Sequence, residues 1–100
     1  MTTVEKNVLI AEYHGTKSLW HDGMYLGENG VCQKPEDLRY HFRWEWIIPV
    51  LEKITVDPLW DEFKDQRLWD YLCTFSINGC LETAVDFIQW KQAKLANHDN

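Results

Sequence analysis

Thiols, imidazoles and a run of carboxylates are the groups in this chain with chemistry to offer. Cys80 follows Gly79 at the start of a helical pattern, where the positive end of a helix dipole can lower a thiol's pKa and favour the thiolate nucleophile. Catalysis would also need a base. His14, His21 and His41 are at hand, yet no local spacing ties one of them to the cysteine. The simpler reading of Cys80 is a small buried apolar residue, and Cys73 is expected to face a core. Cys32 with the same histidines lacks the short paired spacings of a structural zinc site. Gly27-Glu28-Asn29-Gly30 has neither the spacing nor the lysine of a phosphate loop and reads as a turn. Asp57, Asp61, Glu62, Asp65 and Asp70, diluted by Lys64 and Arg67, read as a solvated face, though such a run can also offer carboxylates in place of nucleic-acid phosphates. No catalytic residue, metal or cofactor is expected, and an enzyme is not.

Binding chemistry is better represented. Six Trp, four Tyr and four Phe in 100 residues are a large aromatic share, and such rings both fill cores and anchor interfaces. Trp20, Trp46, Trp60 and Trp69 are the candidate anchors for a protein partner. Arg39 and Arg43 flank Tyr40 and Phe42, and stacking beside guanidinium contacts would suit a nucleotide. A small-ligand or nucleotide-sequestering module, built as a homo-oligomer, is therefore the alternative to protein binding.

The elements that must position these residues follow from composition and periodicity. The length is that of one domain, residues 1–100, with a polar tail from Ala96 to Asn100 expected to fray. The net charge of −6 and scattered basic residues argue against direct nucleic-acid binding. There is no apolar run long enough for a membrane span, Met1 to Leu9 does not read as a signal peptide, and the odd cysteine count fits a reducing compartment. A cytoplasmic protein is expected.

Thr2 and Glu5 stand in capping-box spacing before a short amphipathic stripe that stops at Gly15. Leu19-Trp20-His21 and Met24-Tyr25-Leu26 flank Asp22-Gly23 as a small hairpin, and Val31-Cys32-Gln33 would extend the sheet. Pro35-Glu36-Asp37 could open a helix. Trp44, Ile47, Ile48, Leu51 and Ile54 fall on one helical face, with Pro49 predicting a kink or break; Trp46 lies off that stripe, to pack under the hairpin or project. Asp57-Pro58 with Asp61 and Glu62 signals a short helical turn over Leu59 to Lys64. Tyr71, Cys73, Phe75 and Ile77 alternate with Leu72, Thr74 and Ser76 as the clearest strand. After Asn78-Gly79, Leu81, Ala84, Val85, Ile88 and Leu95 mark the buried stripe of a last helix, widened by Phe87 and Trp90. The expected fold is α+β, a small antiparallel sheet of about three or four short strands packed against two main helices plus a short N-terminal helix.

The stretch Leu38-Arg39-Tyr40-His41-Phe42-Arg43-Trp44-Glu45-Trp46-Ile47-Ile48-Pro49-Val50-Leu51-Glu52-Lys53-Ile54 resembles a signature, Tyr-His-Ser-Ser-Trp-Asp-Trp-Leu-Met-Pro-Val-Val-Glu-Lys-Ile, of small uncharacterised proteins of bacteriophages and Bacteroidetes-type genomes. Ile10-Ala11-Glu12-Tyr13 is similar to that family's opening Ile-Ala-Glu-Phe, and Phe87-Ile88-Gln89-Trp90 to its closing Phe-Ile-Lys-Trp. The pieces keep their order over most of the chain. The family looks distantly like phage α-β-α sandwich domains and brings no activity with it. Phe42 and Arg43 replace its Ser-Ser, which loses a hydroxyl able to cap the helix. The resemblance implies a phage or prophage accessory protein that binds a host or viral protein, for instance to modulate host defence.

Overall fold

Thr2 begins the first helix as the spacing requires. Its Oγ1 accepts from the Glu5 amide at 3.1 Å while the Glu5 carboxylate accepts from the Thr2 amide at 3.1 Å, satisfying two otherwise orphaned donors. The helix ends at Gly15, whose φ of 80° is open to glycine without a Cβ penalty and whose amide returns to the Ala11 and Glu12 carbonyls. The structure, a computed structural model, describes residues 1–15, 23–26, 32–63 and 67–98. Within them lie four helices, α1 (Thr3–His14), α2 (Trp44–Thr55), α3 (Arg67–Cys73) and α4 (Ile77–His98), and two strands, β1 (Tyr25–Leu26) and β2 (Cys32–Gln33). Two 3-10 turns, Pro35–Asp37 and Trp60–Glu62, stand where the two proline-acid signals placed helix starts.

The chain is therefore predominantly helical, with an α+β character confined to one antiparallel pair in which Tyr25 faces Gln33 and Leu26 faces Cys32. Two strands, not three or four, are present among the described residues. The first arm expected for the hairpin, Leu19 to His21, lies outside them. The segment read as the clearest strand, Tyr71 to Ile77, is instead the end of α3, a turn and the start of α4. Its alternation coexists with a helical stripe. Leu68 is fully buried, and Tyr71 and Leu72, three and four residues on, are half-buried. A two-residue ladder offers little sheet for a further strand to join, whereas α4 offers a long apolar face.

α4 is the centre of the packing, with α1, α2 and α3 all laid against it. Leu81, Ala84, Val85, Phe87 and Ile88 form its buried stripe, while Leu95, expected to share it, is 50% exposed. α2 contributes Trp46, Ile47, Val50, Leu51 and Ile54, each large apolar side chain gaining roughly 1.5–3 kcal/mol on full burial. Pro49 does not interrupt α2, which runs unbroken from Trp44 to Thr55. Both Pro49 and Glu45, whose carbonyl loses its helical donor, are exposed, so water can take the place of the missing amide. α4 begins at Ile77, immediately before the expected Asn78-Gly79 stop, and continues into the expected tail as far as His98.

Candidate binding groove

The turn between α3 and α4 carries the least expected residue of the fold. Phe75 has φ of 55°, the one non-glycine residue with positive φ among the described residues. It occupies the place where glycine usually ends a helix. The Phe75 amide returns to the Leu72 carbonyl at 3.2 Å and the Ser76 amide to the Tyr71 carbonyl at 2.8 Å, the paired bonds of a Schellman turn. Ser76 then starts α4, its Oγ accepting from the Gly79 amide at 3.1 Å. A bulky side chain at left-handed φ costs about 1–2 kcal/mol, and here the ring that incurs it is 82% exposed.

That ring stands at the lip of an apolar cavity of about 300 Å³ lined by Trp44 and Ile48 of α2, Leu72 of α3 and Phe75 itself. A second depression of about 130 Å³ continues it along the same helices, lined by Ile48, Leu51, Glu52, Thr55, Leu68, Trp69 and Leu72. Ile48 and Leu72 belong to both, so the two form one groove between α2 and α3. Trp69, 55% exposed, borders it. Trp44, expected to be core, is only half-buried because it forms the groove's wall.

Of the four tryptophans proposed as anchors, Trp69 alone lies open among those described, and Trp20 falls outside the described residues. Trp46 is turned inward, its ring meeting Tyr40 edge-on at 5.3 Å. Trp60 is 7% exposed and packs against Phe63 and Phe87 at 5.7 and 5.5 Å. Both are core residues, held there by rings outside their own elements, Tyr40 in the loop before α2 and Phe87 of α4. Arg39 and Arg43 are exposed, and of the two rings between them Tyr40 is 2% exposed and Phe42 51%, so the expected two-ring slot has one open ring. Arg43 lies 5.7 Å over the Phe42 ring and 3.6 Å from Glu45.

The groups considered for chemistry are dispersed. Cys80 is fully buried, and burial pushes its thiol up, against the lowering its place near a helix start suggested. Cys73, expected inside, is exposed because its segment is helical. No group of three or more His, Cys, Asp or Glu able to hold a metal occurs among the described residues. The acidic run divides. Asp61 and Asp70 are exposed and Glu62 pairs with Lys94 at 2.7 Å, whereas Asp57 is drawn inward. Its Oδ2 accepts from the Tyr13 hydroxyl at 2.9 Å and from Lys91 Nζ, and its Oδ1 from the Leu59 amide at 3.0 Å. This node ties α1, the end of α2 and α4 together.

Sequence reasoning missed Phe75, Ile48 and Leu72 as surface features by assigning them to a strand face or a core stripe. The signal was present in Ser76: a serine two residues before Asn78-Gly79 and ahead of an apolar helical stripe is an N-cap pattern, and it makes the residue before it a turn position. The chain matches no protein-family model, no curated protein and no solved structure. Among the described residues no helix is long and apolar enough to cross a membrane.

Proposed function

We propose that the chain is a non-enzymatic accessory protein, of phage or prophage type, that acts by binding a host or viral protein through the α2–α3 groove, with modulation of host defence as its setting. Phe75 carries the reading. A strained, exposed aromatic persists only where something other than the stability of the free chain favours it, and this one borders an apolar cavity. Trp69 supplies a second open aromatic beside the same groove, and aromatic residues dominate the energetics of protein interfaces. The phage setting rests on the signature from Leu38 to Ile54.

The test is affinity capture from a bacterial lysate with three baits: the native chain, Phe75→Gly and Trp69→Ala, each shown by circular dichroism to be folded. A protein retained by the native chain and lost from both variants is the expected outcome. Equal retention by all three baits would remove the groove from the function.

A further inference from the structure

The groove's own chemistry narrows what can fill it. Its walls are two α-helices, and away from their ends and the exposed Glu45 carbonyl opposite Pro49 their backbone groups are engaged within the helices. They offer mainly side chains. An extended peptide laid there would leave its amides without partners in an apolar trough, whereas a helix satisfies its own backbone. Length agrees. The groove follows α2 from Trp44 to Thr55, three turns or about 16 Å at the helical rise, the span covered by apolar anchors at i, i+3 or i+4, and i+7.

Charge selects among helices. Glu52 lines the groove, and its carboxylate has no ion-pair partner among the described residues. Glu45, two turns before Glu52 on the same side of α2, is also exposed, with only a loose pairing to Arg43. Lys53, the cation next to Glu52, is committed elsewhere, donating to the Tyr13 carbonyl at 2.7 Å. The apolar trough thus has an acidic edge on a chain of net charge −6. A second copy of the chain seated across the same face would bring these acids against one another, an arrangement that costs binding energy.

Resting on the protein-binding reading above, we infer that the occupant of the α2–α3 groove is an amphipathic α-helix of a partner protein, its apolar stripe flanked by lysine or arginine. The basic side chains meet Glu52 and Glu45, and the apolar stripe enters between Trp44, Ile48, Leu72 and Phe75.

Two synthetic helical peptides of about four turns test this, identical in their leucine stripe and carrying either lysine or glutamate along its flanks. They are titrated calorimetrically into the full chain at low and high salt. The expected result is binding of the lysine peptide at least tenfold tighter than the glutamate peptide at low salt. That gap should narrow at high salt and in Glu52→Gln, while Phe75→Gly weakens both peptides. Equal affinity for the two peptides would overturn the basic occupant and leave the groove as a binding site. Binding of neither would overturn the helix occupant and the groove reading together. A dimer in sedimentation that Phe75→Gly converts to monomer would overturn the inference in favour of a second copy.

Discussion

Gly79 of α4 lies against the ring of Tyr71 in α3, where a Cβ would come to 2.3 Å from the tyrosine Cδ1 and 2.4 Å from its Cγ. The absence of a side chain at this one position lets the two helices meet. Glycine inside a helix ordinarily costs about 1 kcal/mol relative to alanine, so on propensity alone Gly79→Ala would stabilise. The contact reverses the sign. The atoms met are the near part of a ring, which cannot swing clear without moving α3. Gly79→Ala should destabilise by about 1–3 kcal/mol, the ordinary range for overpacking, measured by urea unfolding. Tyr71→Ala in the same chain should recover most of that loss, and a stabilised single variant would show that the helices do not meet here.

Phe75→Gly is expected to act in the opposite direction. Glycine enters left-handed φ freely, and the ring removed is mostly solvated, so relief of strain should outweigh the lost contact and the greater freedom of the unfolded chain. A gain of about 0.5–1 kcal/mol follows, visible as a melting temperature higher by a few degrees. A clear drop in melting temperature would mean that Phe75 is held by packing and not displayed.

How much of this was legible depended on whether a segment's signal was local. The Thr2–Glu5 box, the Gly15 stop and the proline-acid turns are written in residues that interact within a few positions, and each appears where its spacing placed it; α2 does too, but Trp44 and Ile48 of its expected stripe line the groove while Trp46 and Val50 are buried. The 71–77 segment is different: Tyr71, Cys73 and Phe75 satisfy period two, while Leu68, Tyr71 and Leu72 satisfy the helical period equally well. Only the long apolar face of α4, which no local pattern contains, decides between them. Trp46 and Trp60 were ambiguous for a related reason, since the rings they pack against, Tyr40 in the loop before α2 and Phe87 of α4, lie outside their own elements. The groove could not be seen at all without knowing that α3 is a helix.

Arg43 exposes a weakness at the head of α2. It occupies the N-cap with φ −121° and ψ 116°, suited to the role, yet its side chain makes no capping bond, whereas the Thr2 hydroxyl at the head of α1 accepts from the Glu5 amide. Its pairing with Glu45 is 3.6 Å long and half exposed, which is worth little. Arg43→Ser should therefore stabilise the protein by about 1 kcal/mol, and Thr2→Ala should destabilise it by a similar amount. Matched thermal melts of the two variants check both signs, and a destabilised Arg43→Ser would show that the guanidinium does more than its contacts suggest.

Asp57 sets the response to acid. Burial by itself would raise its carboxyl, but the bonds from Lys91, the Leu59 amide and Tyr13 outweigh that and hold it below its ordinary value of 3.8. Because the unfolded chain takes up the proton first, the stabilisation is fully present above that ordinary value and is lost as pH falls through the lower folded value. Tyr13 works at the other limit. Burial first, then Asp57, push its hydroxyl above 10.0, so its share is present below that value and is lost as pH rises through the higher folded one. Asp57→Asn removes the charge that serves both, leaving Lys91 partly buried without its counter-ion at a cost of about 1–3 kcal/mol near neutrality. Its stability should also fall less steeply than that of the native chain on going from about pH 5 to pH 3. Urea midpoints across that range measure the slope directly, and parallel profiles for the two proteins would show that Asp57 is not the group being titrated.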